Sequence, residues 1–159
     1  MERKNVVTGV ACDNNVAKIG LFNVYDRPGI AYTLFKALAD ENINVDMIVQ
    51  SAMRDGRNDI AFTCPQADLK KALEIVKRLQ PEVGATGFTS DDGVVKVSIV
   101  GAGMISNPGV AAEMFEALYR EGINLEMIST SEIKVSCIIK ADQGERAVRA
   151  LHKKFNLAE

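Results

Sequence analysis

Pro28-Gly29-Ile30-Ala31-Tyr32-Thr33-Leu34-Phe35 returns 80 positions later as Pro108-Gly109-Val110-Ala111-Ala112-Glu113-Met114-Phe115. The match runs without a gap to Ser51 and Ser131, and Ile43-Asn44-Val45-Asp46-Met47-Ile48 becomes Ile123-Asn124-Leu125-Glu126-Met127-Ile128. So long a period does not fit a solenoid, whose units run to about 20–50 residues. It marks two copies of one small domain, with matched residues available for a paired, pseudo-symmetric surface.

Working outward from Pro28, the preceding segment Val16–Val24 (VAKIGLFNV) alternates apolar and polar residues as a strand does. Proline is excluded from the strand interior and suits the first turn of a helix. Ile30, Leu34 and Leu38 recur at helical spacing and make one apolar stripe over Gly29–Glu41, with Asn42 as a left-handed terminator. Asp46–Met53 and Asp59–Cys64 read as strands around a turn at Asp55-Gly56 that is expected to be longer than two residues. Asp68 is expected to cap a helix that Pro81 and Gly84 end, and Ala85–Thr89 supplies a further strand. The order is βαββαβ, the ferredoxin-like unit of an α+β fold, with two helices on one face of an antiparallel sheet.

The second copy repeats this with strands at Val94–Val100, Leu125–Thr130 and Lys134–Lys140, and helices at Gly109–Glu121 and Glu145–Phe155. It then lacks its last strand, and a sheet one strand short exposes unpaired backbone. The strand-like Asn5–Asp13 is the segment left to complete it. The expected domains are therefore 16–90, and 5–13 joined to 94–157, with the first inserted within the second.

Composition narrows the function classes. A net charge of −2, no tryptophan and 6% aromatics give no footprint for nucleic acid. No apolar run approaches a membrane span, and Met1–Asn5 is no signal peptide, so the expected setting is the cytoplasm. Cys12, Cys64 and Cys137 fit no metal spacing and read as small buried hydrophobes. His152, the only histidine, sits in a basic helix where it complements the dipole. With no nucleophile–base pair and no metal cluster, neither catalytic residues, cofactor nor metal is expected. Val97–Gly103 (VSIVGAG) imitates a dinucleotide loop, but Ser106 stands where the third glycine belongs.

The two turns can do other chemistry. A helix start offers backbone N–H groups and a positive dipole to a carboxylate, and Gly29 and Gly109 permit close approach. Asp26 and Asp46 can accept from an ammonium, while Asn44 and Asn124 both donate and accept. Each residue also has a purely structural use: Asp26 as a cap, the asparagines in turns, the glycines for backbone geometry.

The motifs V-T-G-V-A (7–11), D-R-P-G (26–29), I-N-V-D-M-I-V-Q (43–50), D-I-A-F-T-C-P (59–65), G-A-G-M (101–104), N-P-G-V-A-A (107–112) and I-S-T-S-E-I (128–133) resemble the C-terminal regulatory region of bacterial aspartate kinases, a pair of ACT domains. The kinase part of that family has no counterpart here. The resemblance implies a regulatory part that is not an enzyme on its own, either the small β subunit some bacteria make from an internal start or an excised piece. It implies amino acids as ligands at the interface of ACT units, a homodimer through those units, and the catalytic α subunit as partner. It assigns Asp26, Pro28, Gly29, Ile30, Ala31, Gln50, Asn124 and Leu125 to a threonine-type site. It assigns Asn44, Asp46, Met104, Ser106, Asn107, Gly109, Val110 and Ser131 to a second site suited to lysine. The copies differ where a ligand would feel it, because Asp26-Arg27 becomes Ser106-Asn107 and Gln50 becomes Thr130. Unequal sites follow. A free-standing ACT pair regulating another enzyme or a transcription factor is the alternative.

Overall fold

The computed structural model describes residues 6–157, except the side chain of Ile105. The chain divides into two compact units, each with a four-stranded antiparallel sheet and two helices.

The unit spanning Asn15–Asp92 holds β2 (Ala17–Tyr25), α1 (Ile30–Asp40), β3 (Ile48–Gln50), β4 (Arg57–Cys64), α2 (Leu69–Val83) and β5 (Gly87–Asp91), with sheet order β3-β4-β2-β5. Its core is Ile19, Leu21, Ile60 and Phe62 under Leu34, Leu38, Val76 and Leu79. The α1 stripe read from sequence is the buried one, Ile30, Leu34 and Leu38. A bulge between Leu21 and Val24 resets β2, so that Val24 points inward again opposite Asn58.

In the other unit, β1 (Gly9–Asp13) lies antiparallel to β6 (Val94–Val100), followed by α3 (Val110–Arg120), β7 (Met127–Thr130), β8 (Lys134–Lys140) and α4 (Gly144–Lys154). Its sheet order is β1-β6-β8-β7. Residue 5, placed by expectation in the first of these strands, lies outside the described residues. Val97, Ile99, Met114, Leu118, Cys137, Ile139 and Leu151 form the core.

Several local expectations are corrected. The Asp55-Gly56 turn is a two-residue hairpin turn: Arg54 and Arg57 exchange backbone hydrogen bonds at 2.7 and 3.0 Å, and Asp55 and Gly56 have φ of 53° and 73°. Two successive left-handed residues match the strand twist, which removes the need for extra loop length. Asp68 makes no side-chain cap, because a 3-10 turn at Gln66–Asp68 leads into α2. Pro81 lies inside α2, and the helix stops at Gly84 with φ 77°. The β3 strand keeps three residues rather than the longer Asp46–Met53. Cys12 is exposed near the sheet edge, whereas Cys64 and Cys137 are buried.

Candidate functional site

The β2–α1 turn forms the first candidate site. Gly29 occupies the N-cap position with φ 92°, left-handed, and a Cβ there would meet open space. The glycine is needed for its backbone and leaves the approach clear. No side chain caps α1 and its first turn carries no acid; the Ile30 N–H donates to the Arg27 carbonyl at 3.5 Å and the Thr33 N–H to the Gly29 carbonyl at 2.9 Å, and the positive end of the helix dipole lies at this turn. Asp26, Pro28 and Ala31 are exposed around this turn, Ile30 is buried beneath it, and the Asp26 N–H donates to the Gly56 carbonyl at 2.9 Å. Gln50, also exposed, ends β3 in register with Ile60 of the same unit. Asn44 and Asp46 lie on the approach to β3, where the Asp46 N–H donates to the Thr63 carbonyl at 3.1 Å. Asp26 does not cap its helix, which removes that structural use.

The β6–α3 turn is built differently. A 3-10 turn at Met104–Ser106 precedes it, and the Asn107 amide donates to the Gly103 carbonyl at 2.9 Å. Gly109 has an ordinary φ of −84°, so the backbone does not demand glycine there. A cavity of about 300 Å³ opens beside the start of α3, lined by Met104, Asn107, Pro108, Val110, Ala111, Thr130, Ser131, Glu132 and Val135. Met104, Asn107, Val110 and Ser131 of the second expected site are thus brought together, whereas Ser106 and Gly109 do not line the cavity. Asn44 and Asp46 belong to the other unit.

Asn124 and Leu125 lie elsewhere in this unit, lining a cavity of about 560 Å³ with Phe115, Tyr119, Gly122 and Ile123 near the C-terminal end of α3. The two sets of second-copy residues therefore belong to separate places.

The turns differ electrostatically in a way the repeat alone conceals. Position 33 is threonine in α1, and its match in the first turn of α3 is Glu113. Glu132 adds a carboxylate to the wall of the α3 cavity. The start of α1 thus presents its positive dipole end with no carboxylate in the first turn, whereas at α3 Glu113 and Glu132 offset it. Sequence reading missed Glu132 as a site residue, although it stands in the I-S-T-S-E-I motif itself. It also missed Asn58, which is 4% exposed with neither amide atom hydrogen-bonded.

Comparison with known proteins agrees with this architecture. The ACT domain family matches twice, over residues 23–79 and 97–155. An aspartokinase of Corynebacterium glutamicum is 50% identical over 154 residues, 96% of this chain and 37% of that protein. The aspartokinase of Pseudomonas aeruginosa is 45% identical over 152 residues, with the same coverage. The chain thus spans little more than a third of these relatives. A crystal structure of aspartokinase alpha and beta subunits superposes with a TM-score of 0.89 at 52% identity, covering 95% of this chain and 99% of that one. The ligand-free regulatory subunit of aspartate kinase from Thermus thermophilus gives 0.89 at 44% identity, covering 94% and 99%. Two βαββαβ repeats, paired helix-start turns and full-length similarity to these regulatory subunits converge: the chain belongs to the ACT domain family, as an aspartokinase regulatory region.

Proposed function

We propose that this chain is the amino-acid sensor through which an aspartate kinase is feedback-inhibited in the cytoplasm. The observation that carries the reading is the contrast between two equivalent turns. Neither helix start has a side-chain cap; one is acid-free behind a left-handed glycine, and the other carries Glu113 in its first turn and opens on a cavity with a second glutamate in its wall. Threonine is assigned to the first, its carboxylate on the α1 N–H groups, its ammonium on Asp26 and its hydroxyl on Gln50. Pro28, Gly29, Ile30 and Ala31 shape that turn; Asn124 and Leu125 are assigned to the same ligand by the family resemblance alone. Lysine is assigned to the second, with Glu132 accepting from a ligand ammonium and Met104 and Val110 covering its methylene chain. Asn44, Asp46, Ser106 and Gly109 keep their assignment to that ligand on the same resemblance.

The partner is the catalytic chain of the kinase, and the regulatory regions associate as a homodimer. Inhibition follows from population shift: a ligand with greater affinity for one arrangement draws the assembly towards it, by no more than that difference.

The test is thermal unfolding of the purified chain against single amino acids. A ligand at a hundredfold its dissociation constant adds about 2.7 kcal/mol, roughly 5–11 °C at this size. Threonine should raise the midpoint in wild type and fail to do so in Asp26→Ala or Gln50→Ala. Lysine should add a separate shift that Glu132→Gln removes. Absence of any shift, together with unchanged inhibition of the kinase when this chain is added to the catalytic chain, refutes the sensor reading.

A further inference from the structure

One side chain beside the α1 turn is held from several sides and is used by no ligand assignment. Tyr25 ends β2, one residue before Asp26. The Arg27 guanidinium carbon sits 4.4 Å from its ring centroid, and that of Arg57 sits 4.6 Å away. Both are within cation–π range. Arg57 also donates from one nitrogen, Nη1, to the Asn23 carbonyl at 2.7 Å and the Gly84 carbonyl at 2.8 Å. At Gly84, the left-handed end of α2, a Cβ would collide with the Tyr25 ring. The bulge of β2, the end of α2 and the first residue of β4 therefore converge on one aromatic ring. Arg27 is then the residue by which that ring contacts the turn itself. The other anchor of the turn is the Asp26 N–H to Gly56 bond.

We propose that Arg27, laid on a Tyr25 ring that Arg57 and Gly84 hold in place, is the positioning residue that keeps the Asp26–Ala31 turn in its ligand-binding conformation. Arg27 touches no ligand in this scheme. It raises affinity by raising the fraction of chains whose turn is already correct, since apparent affinity scales with that fraction. The second copy solves the same problem with other chemistry. Its matched residue is Asn107, whose amide binds the Gly103 carbonyl directly. The inference rests on the proposed ligand role of the α1 turn, and its test separates the two.

Arg27→Ala, Arg27→Lys and Tyr25→Phe would be compared with wild type by threonine titration, ligand-free thermal midpoint, and backbone order parameters at Gly29 and Ala31. Loss of one exposed cation–π contact should weaken threonine binding about two- to fivefold in Arg27→Ala. Because Arg27 is exposed, the ligand-free midpoint should stay within about 2 °C, an ordinary surface effect. The Gly29 and Ala31 order parameters should fall from about 0.85 towards 0.6. Arg27→Lys and Tyr25→Phe, which keep a cation and a ring, should restore both affinity and order. Unchanged order and affinity in Arg27→Ala overturn the proposal. So does a loss of affinity that tracks a loss of thermal stability and is not rescued by lysine. If wild type binds no amino acid, the ligand reading fails, and the order parameters alone decide whether Arg27 holds the turn.

Discussion

Replacing Gly101 by alanine tests how the N-terminal segment is locked to its sheet. Gly101 is buried where β6 ends, and its N–H donates to the Ile133 carbonyl at 2.9 Å. A Cβ at this position would overlap the Val6 carbonyl oxygen, lie 2.7 Å from the Val6 carbonyl carbon and lie 3.0 Å from the Val7 Cα. All three are backbone atoms, so no rotamer change relieves the clash. One escape is a backbone shift, and overpacking of this kind costs about 1–3 kcal/mol. The other is release of residues 6 and 7. Those side chains are 9% and 1% exposed, and freeing two buried valines forfeits about 3–6 kcal/mol at most. The chain takes the cheaper escape, so a destabilisation of about 1–3 kcal/mol follows. At about 2–4 °C per kcal/mol the midpoint should drop by roughly 2–12 °C. Gly9→Ala is the control, because a Cβ there meets nothing within 4 Å and the residue lies on the paired strand, opposite Val100. Both changes lower the freedom of the unfolded chain alike, so their difference isolates the clash. Calorimetry on the two variants, with amide exchange along β1, is the assay. A Gly101→Ala midpoint within 2 °C of Gly9→Ala would show that the segment is not held as described.

Two further outcomes are expected. Asn58→Leu removes a buried amide with no partner for either atom, which should relieve about 1–3 kcal/mol and raise the midpoint by roughly 2–12 °C; a fall would mean that the amide is satisfied by ordered water. Burial pushes the Cys64 thiol up to about 11 and the Cys137 thiol up to about 12, from an ordinary 9.0. Folded values above unfolded ones mean that this stabilisation is complete below pH 9 and is lost as pH rises towards 11 and 12. Midpoints measured between pH 8 and 11 should fall more steeply for wild type than for Cys137→Ala, and parallel curves would refute the assignment.

Legibility tracked the range of the interactions involved. The α1 stripe and the strands Val94–Val100 and Lys134–Lys140 depend on periodicity within one segment, and they were readable to the residue or nearly so. Asp68 shows where this stops. An aspartate before an apolar run has a cap's local signature, yet the 3-10 turn through it leaves no bond to make. Pro81 is similar: it has the local signature of a helix stop, yet α2 runs on through it and ends at the left-handed Gly84. The Asp55-Gly56 turn was recognised by residue type but not by length, which both strands set together through register.

By itself the sequence determined the duplication, the βαββαβ order of the first copy, the βαββα order of the second and the family, because these reside in local patterns and in repeated words. It also nominated both turns as ligand sites. Counting strands pointed to the N-terminal segment as the one that completes the second sheet, but only tertiary structure gave β1 its neighbour β6 and the register that sets Gly9 against Val100, since ladders form between segments that no local pattern links. Tertiary structure also set Gly29 left-handed and Gly109 not, giving two matched glycines different duties. It drew Glu132 into the wall beside α3 and gathered Arg27, Arg57 and Gly84 around Tyr25, because those neighbours meet only when strand, hairpin and helix ends converge.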